Sequence, residues 1–218
     1  MMPSSTGCVQ SMVNFGLHLS LLALGLCLLP ALTSATNTPY EDDPKNFDRQ
    51  HISDVTGINE KLFIKWQTFD LRTEDRCHSA LKVSSREDGN REIFAYKFTV
   101  MRSISVSDSS NQRKKEEIDA TVITTKTPKH EVDNAVNYTL SDGSTVGPVK
   151  LMYVHPTNTC LILVRDIGQG KKGCQLLQTA TTMERVPPEC KKVYQKNCPA
   201  SKVTLYKSQC PKWLEKSQ

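Results

Sequence analysis

Residues 159–210 read TCLILVRDIGQGKKGCQLLQTATTMERVPPECKKVYQKNCPASKVTLYKSQC. Two apolar runs, Cys160 to Ile167 and Cys174 to Thr179, each open on a cysteine, and Gly168-Gln169-Gly170 lies between them. Short β-rich runs bounded by glycine read as paired strands. After them, Pro187 to Cys198 reads as a helix: Pro187 and Pro188 suit its start, and Glu189 sits in its first turn. Lys191, Lys192 and Lys196 fall towards the end that the helix dipole makes favourable for cations. Cys190 and Cys198 lie eight residues apart, near one helical face, so both can reach a sheet beneath.

Working outward, six more runs of strand character precede this stretch: Leu62 to Phe69, Cys77 to Val83, Ile93 to Met101, Ile118 to Thr125, Ala135 to Leu140 and Val146 to Val154. Eight such runs separated by polar turns predict an antiparallel meander or barrel. Alternation puts Phe94, Tyr96 and Phe98 on one face of their run, and Leu62, Ile64 and Trp66 on one face of theirs. An eight-stranded barrel is just wide enough to fill with side chains or to hold one small ligand, so such stripes are candidate pocket lining.

The front of the chain carries an apolar stretch, Leu17 to Leu32, with Thr33 and Ala35 as small residues before a cut after Ala35. That is the pattern of a signal peptide, although Lys and Arg are missing ahead of it. Removal of residues 1–35 takes Cys8 and Cys27 away and leaves Cys77, Cys160, Cys174, Cys190, Cys198 and Cys210. An even set in a secreted chain predicts three disulfides, with fifteen possible connectivities. Residues 36–49, acidic and poor in apolar side chains, are expected to form a flexible arm. The domain is then 50–218, entered by a short helix capped by Asp48, running through His51, Ile52 and Val55 and stopped by Gly57.

Several chemistries are disfavoured. No CxxC pair or His at zinc-ligand spacing is present apart from the adjacent Cys77-His78, and no nucleophile–base motif involves His51, His78, His130 or His155. No metal, cofactor, nucleic acid or membrane partner is expected, and neither is enzymatic activity. Gly168 to Gly173 matches GxGxxG, but it lies between two strands and so reads as a hairpin loop rather than a phosphate cradle. Of the formal +5 charge, the segment from Cys190 onward supplies seven lysines against Glu215, and the rest of the mature chain is near neutral. That basic segment is a candidate surface for acidic glycans or a host protein. Asn137-Tyr138-Thr139 is a glycosylation sequon, and Tyr40 in its acidic setting is a weaker sulfation candidate.

The order of Cys77, Cys160, Cys174, Pro187-Pro188-Glu189-Cys190, Asn197-Cys198-Pro199 and Cys210 resembles the tick salivary lipocalins of the histamine-binding-protein family. The resemblance covers nearly all of the mature chain and is most specific over 159–210. It implies an eight-stranded antiparallel lipocalin-type barrel, with a short N-terminal helix and a C-terminal helix disulfide-linked to the barrel. It also implies the pairs Cys77–Cys210, Cys160–Cys190 and Cys174–Cys198, a secreted monomer, and capture of a small host mediator.

In that family, amine binders carry Cys-Asp-aliphatic on one strand and Glu-Leu followed by Trp or Tyr on the next. The matching stretches here are Cys160-Leu161-Ile162 and Gln175-Leu176-Leu177, so both carboxylates are replaced. If Cys160 faces outward, alternation turns Leu161, Leu163 and Arg165 inward, with Gln175 and Leu177 beside them. The expected lumen is therefore Trp66, Phe94, Tyr96, Phe98, Tyr153, Leu161, Leu163, Arg165, Gln175 and Leu177. Such a lumen suits a fatty acid or eicosanoid, with Arg165, or Arg102 as a second candidate, pairing with a carboxylate at the mouth. Histamine or another biogenic amine is the alternative ligand.

Overall fold

A computed structural model describes residues 38–89, 91–104 and 112–215. The expected signal peptide, 1–35, lies outside them. Eight antiparallel strands close a barrel: β1 (Leu62–Gln67), β2 (Arg76–Asp88), β3 (Arg91–Ser103), β4 (Arg113–Thr125), β5 (Ala135–Leu140), β6 (Thr145–Val154), β7 (Cys160–Asp166) and β8 (Lys172–Thr179). The eight expected runs each coincide with one of these strands, and β2, β3 and β4 extend well beyond theirs into charged sequence. In β4 only one face is buried, so Ile118, Ala120 and Val122 alternate with Asp119 and Thr121, whereas Ser84–Asp88 of β2 and Arg91 and Glu92 of β3 are exposed on both faces.

Closure depends on β1, which divides its edges. On one side it pairs with β8 throughout. On the other its first residues pair with β2 (Leu62 opposite Ala80), while Trp66 and Gln67 pair with a short β9 (Val203–Thr204). The glycine-rich segment is the hairpin turn between β7 and β8, closed by Ile167 N–H to Lys171 C=O at 2.9 Å.

Among the described residues, three α-helices decorate the barrel. Helix α1 (Ile52–Thr56) ends at Gly57 as expected, but its N-cap is His51 and not Asp48, which lies in a preceding 3-10 turn. Helix α2 (Pro188–Asn197) lies over β6 and β7, and α3 (Cys210–Glu215) follows it after β9. Disulfides Cys160–Cys190 and Cys174–Cys198 fasten α2 and its C-cap to β7 and β8, and Cys77–Cys210 fastens α3 to β2. These are the three pairs implied by the resemblance.

The expected flexible arm is corrected from Tyr40 onward. Tyr40–Asp42 and Pro44–Arg49 form 3-10 turns against the barrel. Glu41 is 5% exposed and meets Lys172 at 2.8 Å, while Asp42 meets Lys150 at 2.6 Å. Gln50, fully buried, donates to the carbonyls of Tyr40 and Met152 and accepts from His130 Nε2 at 2.8 Å. The acids that made this segment look solvated are the groups that dock it. Tyr40 is half-buried against the cluster around Met152, Cys160 and Tyr194, which takes it out of the mobile context assumed for sulfation.

Candidate functional site

The barrel encloses a cavity of about 280 Å³, close to the low end of small-ligand pockets. One end is stoppered by Ile52, Val55 and Thr56 of α1, and Ile52 and Val55 pack on Leu62, Leu151, Leu161 and Leu177. Lys82 holds the stopper by donating to the Thr56 carbonyl at 2.6 Å. The wall is built from inward residues of the strands. In the middle of the sheet, Tyr96 and Phe98 of β3 stand opposite Ala120 and Ile118 of β4. Tyr138 crosses Phe98 edge-to-face at 5.4 Å. Burial pushes the Tyr96 phenol up to about 12 and also raises that of Tyr138, so both rings stay neutral.

Of the expected lumen residues, Tyr96, Phe98, Leu161, Leu163, Arg165, Gln175 and Leu177 line this cavity. Leu161 faces Leu177 and Leu163 faces Gln175 across the β7–β8 pair, in the phase that an outward Cys160 demands. Phe94 is buried beside Tyr96, Ala120 and Val122 but does not line the cavity.

Trp66 and Tyr153 are corrections, and β-bulges account for both. On β1, Ile64 stands opposite Leu177, but the next paired residue, Trp66, stands opposite Leu176. On β6, Leu151 stands opposite Leu163, but Tyr153 stands opposite Ile162. One extra residue reverses the side-chain phase. Trp66 therefore packs outside the barrel on Tyr194 of α2, with the Lys202 ammonium 5.1 Å from its ring, and Tyr153 joins the same outer cluster.

The end opposite α1 is polar. Arg165 lies with its guanidinium 4.5 Å above the Phe69 ring, and its Nε is buried without a hydrogen-bond partner. Gln175 donates to Gln67 Oε1 at 2.7 Å. Arg102 also lines the cavity, but it is already matched to Asp75 at 2.6 Å and Glu116 at 2.5 Å. Among the described residues, that leaves Arg165 as the lining cation without a carboxylate partner, and the cavity lining contains no Asp or Glu.

The sequence reading missed His78 as a lining residue. Its neighbour Cys77 has φ +58°, and a register shift lies between Arg76 and Ser79, so His78 faces the cavity while Cys77 faces α3. Its Nε2 is buried without a partner. Burial pulls the imidazole's pKa down, helped by Arg102 and opposed by Asp75. The only sequence signal was its adjacency to a disulfide cysteine. Ile118 and Val122 were also missed, though their alternation in the fourth run was visible.

A second crevice, about 300 Å³, shares Arg165 with the first cavity and is lined in part by Glu41, Lys150 and Lys172. These three are engaged in the ion pairs that dock the 3-10 turns, so their charges are already matched within the protein. The sequon Asn137 is half-buried against Gly147, where a Cβ would fall 2.1 Å from Asn137 Oδ1.

A family model described as tick histamine binding protein matches residues 40–212. The chain belongs to the tick histamine-binding protein family. Among solved structures, this family member is similar to Japanin from Rhipicephalus appendiculatus bound to cholesterol, with a TM-score of 0.53 and 14% identity. That match covers 70% of this chain and 96% of Japanin, and it supports the lipocalin-like barrel. No curated protein matches the chain by direct sequence comparison. The family is described by histamine binding, and the Japanin structure by its bound cholesterol.

Proposed function

We propose that this family member is secreted in saliva as a monomer and sequesters a small host mediator, a fatty acid or eicosanoid, against inflammatory and haemostatic defence. The observation that carries the reading is the composition of the cavity wall. It is mainly aliphatic and aromatic, with Arg165 unmatched at one end and, among the described residues, no carboxylate in the lining. An ammonium buried there would lack an anionic partner, at a cost of several kcal/mol, roughly, after relaxation. A carboxylate would meet a guanidinium able to donate two parallel hydrogen bonds. Sequestration needs no covalent step, so burial of the lipid's hydrocarbon and this polar contact suffice.

The test is displacement of a fluorescent fatty acid from the purified protein by arachidonate and by histamine. The reading expects stoichiometric displacement by arachidonate and none by histamine. Displacement by histamine alone would support the amine reading and defeat this one.

A second reading, binding of an acidic glycan or host protein by the exterior, rests on the exposure of Lys191, Lys192 and Lys196 on α2 and of Lys202, Lys207 and Lys212 beyond it. Retention on heparin at physiological salt, lost when the three α2 lysines are replaced by glutamine, supports it; elution alongside a neutral control removes it. Asn137 is the proposed glycan acceptor, and a mass unchanged by enzymatic deglycosylation would exclude it.

A further inference from the structure

We infer that His78 reads a hydroxyl group on the ligand, so that the preferred class is a hydroxylated long-chain carboxylic acid rather than a plain fatty acid. The inference rests on the lipid reading above and narrows it. Two observations carry it. His78 lines the cavity from β2, and its Nε2 is buried with no protein partner. Arg165, another lining side chain with a buried unpartnered nitrogen, stands on β7, separated from β2 in the barrel order by β8 and β1. The wall thus offers unpartnered polar points on two strands, Arg165 on β7 and, on β2, His78 with its neighbour Ser79, whose Oγ is also buried without a partner, set in a largely apolar surface. A single carboxylate held by Arg165 leaves the imidazole unmatched.

The chemistry of the second point selects its partner. The burial that lowers the His78 pKa keeps the ring neutral, and a neutral imidazole offers one donor and one acceptor. A hydroxyl can both donate and accept, so it satisfies Nε2 in either tautomer. A hydrocarbon chain lying past Nε2 displaces any water there and leaves the nitrogen unpaired. Sites built to bond a hydroxyl reject the analogue lacking it for this reason. His78 is also held in place: Cys77 is bonded to Cys210, and its N–H donates to Leu205 C=O at 3.0 Å.

The experiment compares lipid pairs that differ only by a hydroxyl: oleate with ricinoleate, and arachidonate with its monohydroxy derivatives. Each is titrated into the wild type, His78→Phe and His78→Gln. The wild type is expected to prefer at least one hydroxylated partner by about tenfold, the scale of a buried polar group left unpaired. His78→Phe should erase that preference while still binding the plain acids, and His78→Gln should keep part of it. Near-UV circular dichroism checks that the variants fold, and if His78→Phe does not, the Gln variant and the wild-type preference still decide. Equal wild-type affinity within every pair overturns the role of His78 and leaves the lipid reading standing. Failure of the wild type to bind any of these acids overturns both.

Discussion

Replacing Arg165 with Met separates the ligand's need for this side chain from the fold's need for it. In the free protein the guanidinium gains a cation–π contact with Phe69 at 4.5 Å, but its Nε is buried without a partner. The contact contributes about 0.5–2 kcal/mol. An unpaired buried donor costs about 1–3 kcal/mol. These oppose each other, and a methionine sulfur retains some affinity for the ring. The expected change in stability therefore lies between a loss of about 1 kcal/mol and a gain of about 2.5 kcal/mol. Binding is different, because a charge-assisted hydrogen bond contributes about 1.5–3 kcal/mol, which is roughly 10- to 150-fold in affinity. Urea denaturation and fatty-acid titration on the same preparation read the two effects. Loss of several kcal/mol of stability, or unchanged affinity for a ligand the wild type binds, would refute the reasoning.

Other consequences can be checked independently. Trp66→Ala should lower stability yet leave lipid affinity within about twofold, whereas Phe98→Ala should weaken lipid binding as well, because of the two only Phe98 lines the cavity; the reverse pattern in titrations would refute the bulge in β1. Breaking Cys77–Cys210 by paired Ala substitutions should cost about 5 kcal/mol, and breaking Cys174–Cys198 about 3.5 kcal/mol, from loops of 133 and 24 residues; urea midpoints in the opposite order would contradict the loop-entropy account. Burial lowers the folded-state pKa of His130, which is stacked on Phe47 at 3.7 Å and hydrogen-bonded to Gln50. Its contribution is fully present above the unfolded value of about 6.5 and lost as pH falls towards the lower folded value. The melting temperature should thus fall on acidification, less steeply in His130→Gln, and equal slopes would exclude His130 as a contributor.

Much of the fold was legible because cysteine spacing and period-two alternation are local signals. The β7–β8 pair illustrates this: an outward Cys160 fixed the phase of Leu161, Leu163 and Arg165, and the strands run without a register break. Trp66 and Tyr153 were misplaced because a single bulged residue reverses phase, and neither bulge is marked by Gly or Pro within Ile64–Trp66 or Leu151–Tyr153. His78 escaped because its orientation depends on the left-handed backbone of Cys77, a conformation held by a disulfide to Cys210, far along the chain. The docked 3-10 turns were illegible for a related reason. Their partners Lys150 and Lys172 are more than a hundred residues away, and an acidic segment next to its own counter-ions reads as solvated only in one dimension.

The most direct test of the lumen as a lipid site is native mass spectrometry of the secreted protein, followed by parallel titration with a leukotriene and with histamine. The account predicts a one-to-one lipid complex that survives into the gas phase and no histamine adduct. A histamine complex without a lipid complex would contradict it.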